Sequence, residues 1–89
     1  MTDSLPIATV HVGTARKKLR AVNSIADATD MLLHAWPQEG RGVAYRAAVR
    51  LCLGALEGEA AKAAARNAFI RAALEANLYV RTEERWEPR

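Results

Sequence analysis

Residues Ala35 to Ala48 read AWPQEGRGVAYRAA, and two architectures compete for them. The glycines either cradle a phosphate in an α/β nucleotide domain or turn the chain between two helices. A phosphate loop of the Walker type needs G-x-x-x-x-G-K-[ST] after a strand, so that backbone amides and a lysine surround the anion. Here the preceding segment has helical apolar spacing, and neither that lysine nor the hydroxyl follows. The dinucleotide pattern G-x-G-x-x-G fails as well, because Tyr45 stands where the third glycine is required. The stretch therefore reads as a corner: Trp36 packs, Pro37 stops a helix, and Gly40 and Gly42 reverse the chain. A helix N-terminus beginning there leaves a weak anion site at Arg41 and Gly42 as the residual functional reading.

Upstream of the corner, Ser24 is placed to cap a helix starting near Ile25, with Asp27 three residues on. Ile25, Ala28, Met31, Leu32, Ala35 and Trp36 share one face, and Asp27, Asp30 and His34 the opposite one. Downstream, a second helix runs from about Gly42 to about Glu57, with Ala44, Ala48, Leu51, Cys52 and Ala55 inward and Arg46, Arg50 and Glu57 outward. Gly58 ends it. A third, alanine-rich helix starts at Glu59 or Ala60 and reaches about Ala76, with Ala61, Ala65, Ala68, Phe69, Ala72 and Ala76 as its core stripe. Asn77 suits the left-handed position after its last turn.

The N-terminal run IATVHV, Ile7 to Val12, is rich in β-branched residues, and KKLRAV after Gly13-Thr14-Ala15 can return as a second strand. Ala8, Val10 and Val12 are expected inside, Thr9 and His11 outside, with Leu19 and Ala21 inside on the return strand. Leu78-Tyr79-Val80 is an apolar run able to add a third strand. TEERWEPR, Thr82 to Arg89, has no periodicity and reads as a flexible tail in which Trp86 is exposed. The expected fold is α+β: an N-terminal β-hairpin, three helices and a short C-terminal strand, in a single domain over 1–89 with its ordered core at about 5–81.

Bulk properties agree with one small domain. Hydrophobic residues make up 51% of the 89, but nineteen residues are alanine, so few large side chains are left for the core. At this length folding buries only about 60–65% of the surface that the unfolded chain exposes. Thirteen Lys and Arg against ten Asp and Glu give a net charge of +3, mild for a dedicated nucleic-acid binder. The one cysteine, Cys52, excludes an intrachain disulfide, and on the apolar face of AVRLCLGAL it reads as a buried, inert thiol in a reducing compartment. No apolar window approaches a membrane span and the N-terminus lacks a secretory pattern, so a cytoplasmic location is expected.

The order and spacing of the VHV strand, LRAVNSIADATDMLLHAWP, GVAYRAAVRLCLGALEG and ARNAFIRAALEANLYV resemble domain-of-unknown-function family 982 over about Ile7 to Val80. That resemblance implies a small protein of rhizobia and related bacteria, a compact α+β domain with a short sheet and three helices, and no catalytic residues to carry over.

Three groups of residues remain as candidate sites. Arg16, Lys17, Lys18 and Arg20 crowd the hairpin and could lie along a phosphate backbone, joined by Arg46 and Arg50 if the fold brings them to one face. Against this, a basic hairpin also protects a sheet edge from aggregation, and no aromatic residues interleave to stack on bases. Asp30 and His34, with Asp27 beside them, have metal-ligand spacing, yet two histidines in the chain make a closed site hard to build, and a helix-surface pair is the expectation. No nucleophile, base and orienting group fall together, so no catalysis, metal or cofactor is expected. The functional expectation is a non-catalytic protein-interaction or accessory domain, docking to another protein or pairing with a copy of itself. A nucleic-acid-binding module using the basic hairpin is the alternative.

Overall fold

A computed structural model of the chain describes residues 6–13, 19–58 and 61–82. The elements follow as strand β1 (Pro6–Gly13), strand β2 (Arg20–Ser24), helix α1 (Ile25–His34), a 3-10 turn at Gln38–Gly40, helices α2 (Val43–Leu56) and α3 (Lys62–Glu75), and strand β3 (Tyr79–Thr82). The sheet is antiparallel throughout in the order β2-β1-β3, so the fold is α+β with the first strand at its centre. No helix among the described residues is long and apolar enough to cross a membrane.

Ser24 ends β2 and caps α1 at once, its hydroxyl accepting from the backbone N–H of Asp27 at 3.0 Å. This satisfies a donor that the first helical turn cannot pair internally. Gly58 adopts φ 81° just after α2, a left-handed conformation that glycine takes without a Cβ penalty. α3 closes with Asn77 at φ 61° and with bonds from Leu78 N to Ala73 O at 2.9 Å and Asn77 N to Leu74 O at 3.1 Å. These two bonds are a Schellman closure, and Leu78 drops into the core behind it instead of starting the strand.

The layers follow from which faces are apolar. α1 packs on β2, and α3 packs on β1 and β3. α2 packs on α3 and α1 rather than on the sheet, which makes it the outermost helix. Between them lie Val10, Val12, Val22, Ile25, Leu32, Cys52, Ala65 and Phe69, all fully buried.

Several expected inward positions are corrected. On the return strand Val22 and Ser24 are buried, whereas Leu19 and Ala21 are exposed. Val22 sits opposite Val10 and Ala21 opposite His11. A shift of one residue exchanges the two faces of a strand, and here it brings in a valine where the other face offers an alanine. Ala8 is exposed too, because the β1–β2 register slips between Pro6 and Val10. Ala35 and Ala61 lie just outside the helices, as the C-terminal cap of α1 and the N-terminal cap of α3, and both are exposed. Thr82 pairs with Val10 in β3, so the strand reaches one residue into the segment read as tail. The expectations for Trp86 and the rest of that tail lie outside the described residues.

Candidate functional site

The corner is built by Trp36. Its ring is buried against Phe69, centroids 5.7 Å apart, and Tyr45, 6.0 Å apart, and its Nε1–H donates to the Gly40 carbonyl at 3.1 Å. Arg41 turns back over the same stretch, its guanidinium donating to the Trp36 carbonyl at 2.9 Å and lying 5.5 Å from the Tyr45 ring centre. The Tyr45 hydroxyl donates to the Leu32 carbonyl at 2.8 Å, tying α2 to α1. Trp36 and Arg41 thus bind the corner to itself, and Tyr45 holds the two helices together.

The anion for the start of α2 comes from the chain itself. Glu75, in the last turn of α3, accepts from the Ala44 N–H at 3.4 Å, and its carboxylate lies 3.0–3.1 Å from where a Cβ on Gly42 would sit. A carboxylate there offsets the positive end of the helix dipole. The weak anion site expected at Arg41 and Gly42 is therefore a contact between α2 and α3.

The candidate cations divide between layers. Arg20, on β2, is held by Asp30 of α1 at 3.1 Å, while Arg46 and Arg50 stand exposed on α2, with α1 packed between β2 and α2. Arg16, Lys17 and Lys18 lie outside the described residues. His34 Nε2 is 3.9 Å from Asp30 Oδ1, an exposed pair one helical turn apart. Among the described residues no group of three or more His, Cys, Asp and Glu is placed to hold a metal ion.

Two cations that sequence reasoning passed over are structural. Arg66 is 8% exposed, and its Nε–H donates to the Ala8 carbonyl at 3.1 Å; Lys62, one turn earlier, donates to the Pro6 carbonyl at 3.3 Å. Both reach the part of β1 where the register with β2 slips, so α3 supplies donors to that segment's carbonyls.

Cys52 is fully buried between Thr29 and Ala65. Burial pushes its thiol up from 9.0 to about 11, with a hydrogen bond to Thr29 as a smaller opposing effect. The thiolate, the reactive form, is thus disfavoured. Labelling of the native protein by a thiol reagent at neutral pH is expected to run far slower than in denaturant. A comparable rate would reject the burial. The sign of the linkage adds a pH signature: the folded state holds the proton more tightly, so stability contributed below pH 9 is lost as pH rises towards 11.

A concave surface among the described residues is left after these contacts are assigned. Val43, Ala44, Ala47 and Leu51 of α2 and Ala64, Asn67, Ala68, Arg71 and Glu75 of α3 line a groove of about 480 Å³. It runs along the seam of the two helices, with alanines as its floor, and sequence reasoning did not identify it. Ala64 and Ala68 are separated from Ala44 and Ala47 by about twenty positions, so periodicity within either helix cannot announce it.

No curated protein and no solved structure matches the chain. A family match does cover residues 8–80, from the centre of β1 into β3, under the description protein of unknown function (DUF982). It takes in the sheet, the Trp36 corner and both walls of the groove, and the chain belongs to the DUF982 family.

Proposed function

We propose that this domain is a non-catalytic protein-interaction module that acts in the cytoplasm by docking a partner on its helical side. The observation that carries the reading is apolar surface left in water on the outer helices: Val43 is 79% exposed and Leu74 58%, with Leu33, Leu53 and Leu56 also exposed. Scattered exposed leucines are ordinary on any protein, but an apolar groove with the exposed Val43 in its lining marks a binding surface. The fate of the polar groups supports the same reading. Glu75, Arg41, Tyr45 and Arg66 are committed to backbone partners, and the buried Cys52 is held in its unreactive form.

Affinity capture from native lysate, with and without nuclease, tests the proposal. A stoichiometric protein partner whose recovery is unaffected by nuclease is the expected result. Recovery that disappears on nuclease treatment would instead favour the basic hairpin and a nucleic-acid role, for which a steep dependence on salt is the second signature.

A further inference from the structure

We infer that the groove between α2 and α3 receives one face of an acidic amphipathic helix from a partner protein. This rests on the interaction reading above and assigns it a site and a chemistry. The groove has walls of two helices and a floor of Ala44, Ala47, Ala64 and Ala68, small side chains that let a third backbone approach. From Val43 to Leu51 it extends about 12 Å at the helical rise of ~1.5 Å per residue, a little over two turns. A volume near 480 Å³ admits the side chains along one face of such a helix, not the helix itself.

The charges around the groove select the partner. Arg50 follows Val43 by two turns on the same edge of α2, with Arg46 beside it, and Arg71 stands on the facing wall of α3; all three are exposed. Of the nearby carboxylates, Glu75 is turned to the Ala44 N–H at the start of α2, and Glu57 lies beyond the far end of that helix. A helix with carboxylates flanking its apolar stripe would meet cations on both rims. A second copy of this chain, docked groove to groove, would set arginine against arginine, and like charges across an interface disfavour that pairing.

The probe is a stapled peptide of about 16 residues, long enough to hold helical form, with leucines on one face and glutamates on either side of them. A second peptide carries lysines in place of the glutamates. Titration followed by backbone amide shifts should saturate with the acidic peptide and perturb Ala44, Ala47, Ala64 and Ala68. The basic peptide should bind about tenfold more weakly, as expected from losing a few rim charge pairs and gaining repulsions. Arg46→Glu, Arg50→Glu and Arg71→Glu together should reverse the preference with the unfolding midpoint little changed, since all three residues are exposed. Ala64→Trp, which fills the groove from an exposed position, should abolish binding of both peptides.

Equal binding of the two peptides, shifts confined to another face, or no binding would overturn the inference. So would a dimer of the unmodified domain that Ala64→Trp dissociates, because a second copy would then be the occupant. If peptides fail while a nuclease-insensitive partner is still captured, the groove assignment falls and the interaction reading stands. Nuclease-sensitive capture would remove that broader reading itself.

Discussion

Trp36→Ala is expected to lower the free energy of unfolding by about 3–5 kcal/mol, the usual cost of truncating a buried aromatic residue. The indole is 4% exposed and packs on Phe69 of α3 and Tyr45 of α2, so its removal opens a cavity where three helices meet. It also takes the donor from the carbonyl of the buried Gly40. A domain of 89 residues has ~4–13 kcal/mol to lose, at ~0.05–0.15 kcal/mol per residue, so this one change consumes a large part of the margin. Trp36→Phe separates the two contributions: it keeps an aromatic ring but not the N–H, and should cost only about 1–3 kcal/mol. Denaturant unfolding followed by circular dichroism reads both variants. An unchanged midpoint for Trp36→Ala would show that the ring does not anchor the corner.

The success of the corner reading and the failure of the return-strand reading have one physical source. Helical phase is fixed by many residues at once, so Ile25, Ala28, Met31, Leu32 and Trp36 identify the buried side of α1 even though Ala35, which fits the same spacing, is exposed at the C-terminal cap. A five-residue strand offers only two or three votes on each face. Around Arg20–Ser24 the choice lies between Leu19 with Ala21 and Val22 with Ser24, and the leucine, which stands just before the strand, points to the exposed set. What decides it is Ser24, which must end the strand pointing inward for Ile25 to begin α1 in the core. Arg66 was illegible for a different reason. Nothing within α3 signals that a carbonyl fifty-eight positions earlier lies within its reach, and the register slip in β1 is itself a tertiary feature. The groove shares that character, since neither helix forms it alone. Arg46 and Arg50 stand out by charge on α2, but the cation that lines the groove itself, Arg71, belongs to a different element.

Gly40→Ala is expected to cost about 2–3 kcal/mol, near the upper end for overpacking, despite adding one methyl group. A Cβ built on Gly40 falls onto the Ala76 Cβ and 3.0 Å from the Ala76 Cα, beside the indole Nε1 at 3.5 Å. Backbone at the end of α3 cannot rotate away as a long side chain could, so either the corner or the helix end must shift. A shift at the corner would also disturb the hydrogen bond that Trp36 makes to Gly40. Gly42→Ala is the informative control. There the three atoms nearest the added Cβ all belong to the Glu75 carboxylate, at 3.0–3.1 Å, the far end of a flexible side chain that can swing aside. Its cost should stay below about 1 kcal/mol, the worth of a charge at a helix N-terminus. Measured unfolding midpoints that rank Gly42→Ala as the more damaging would show that the close approach of Gly40 to Ala76 is misplaced. The expected order would show that Gly40 is required for the space its missing side chain leaves to Ala76, the reason a glycine stands in this corner without gripping a phosphate.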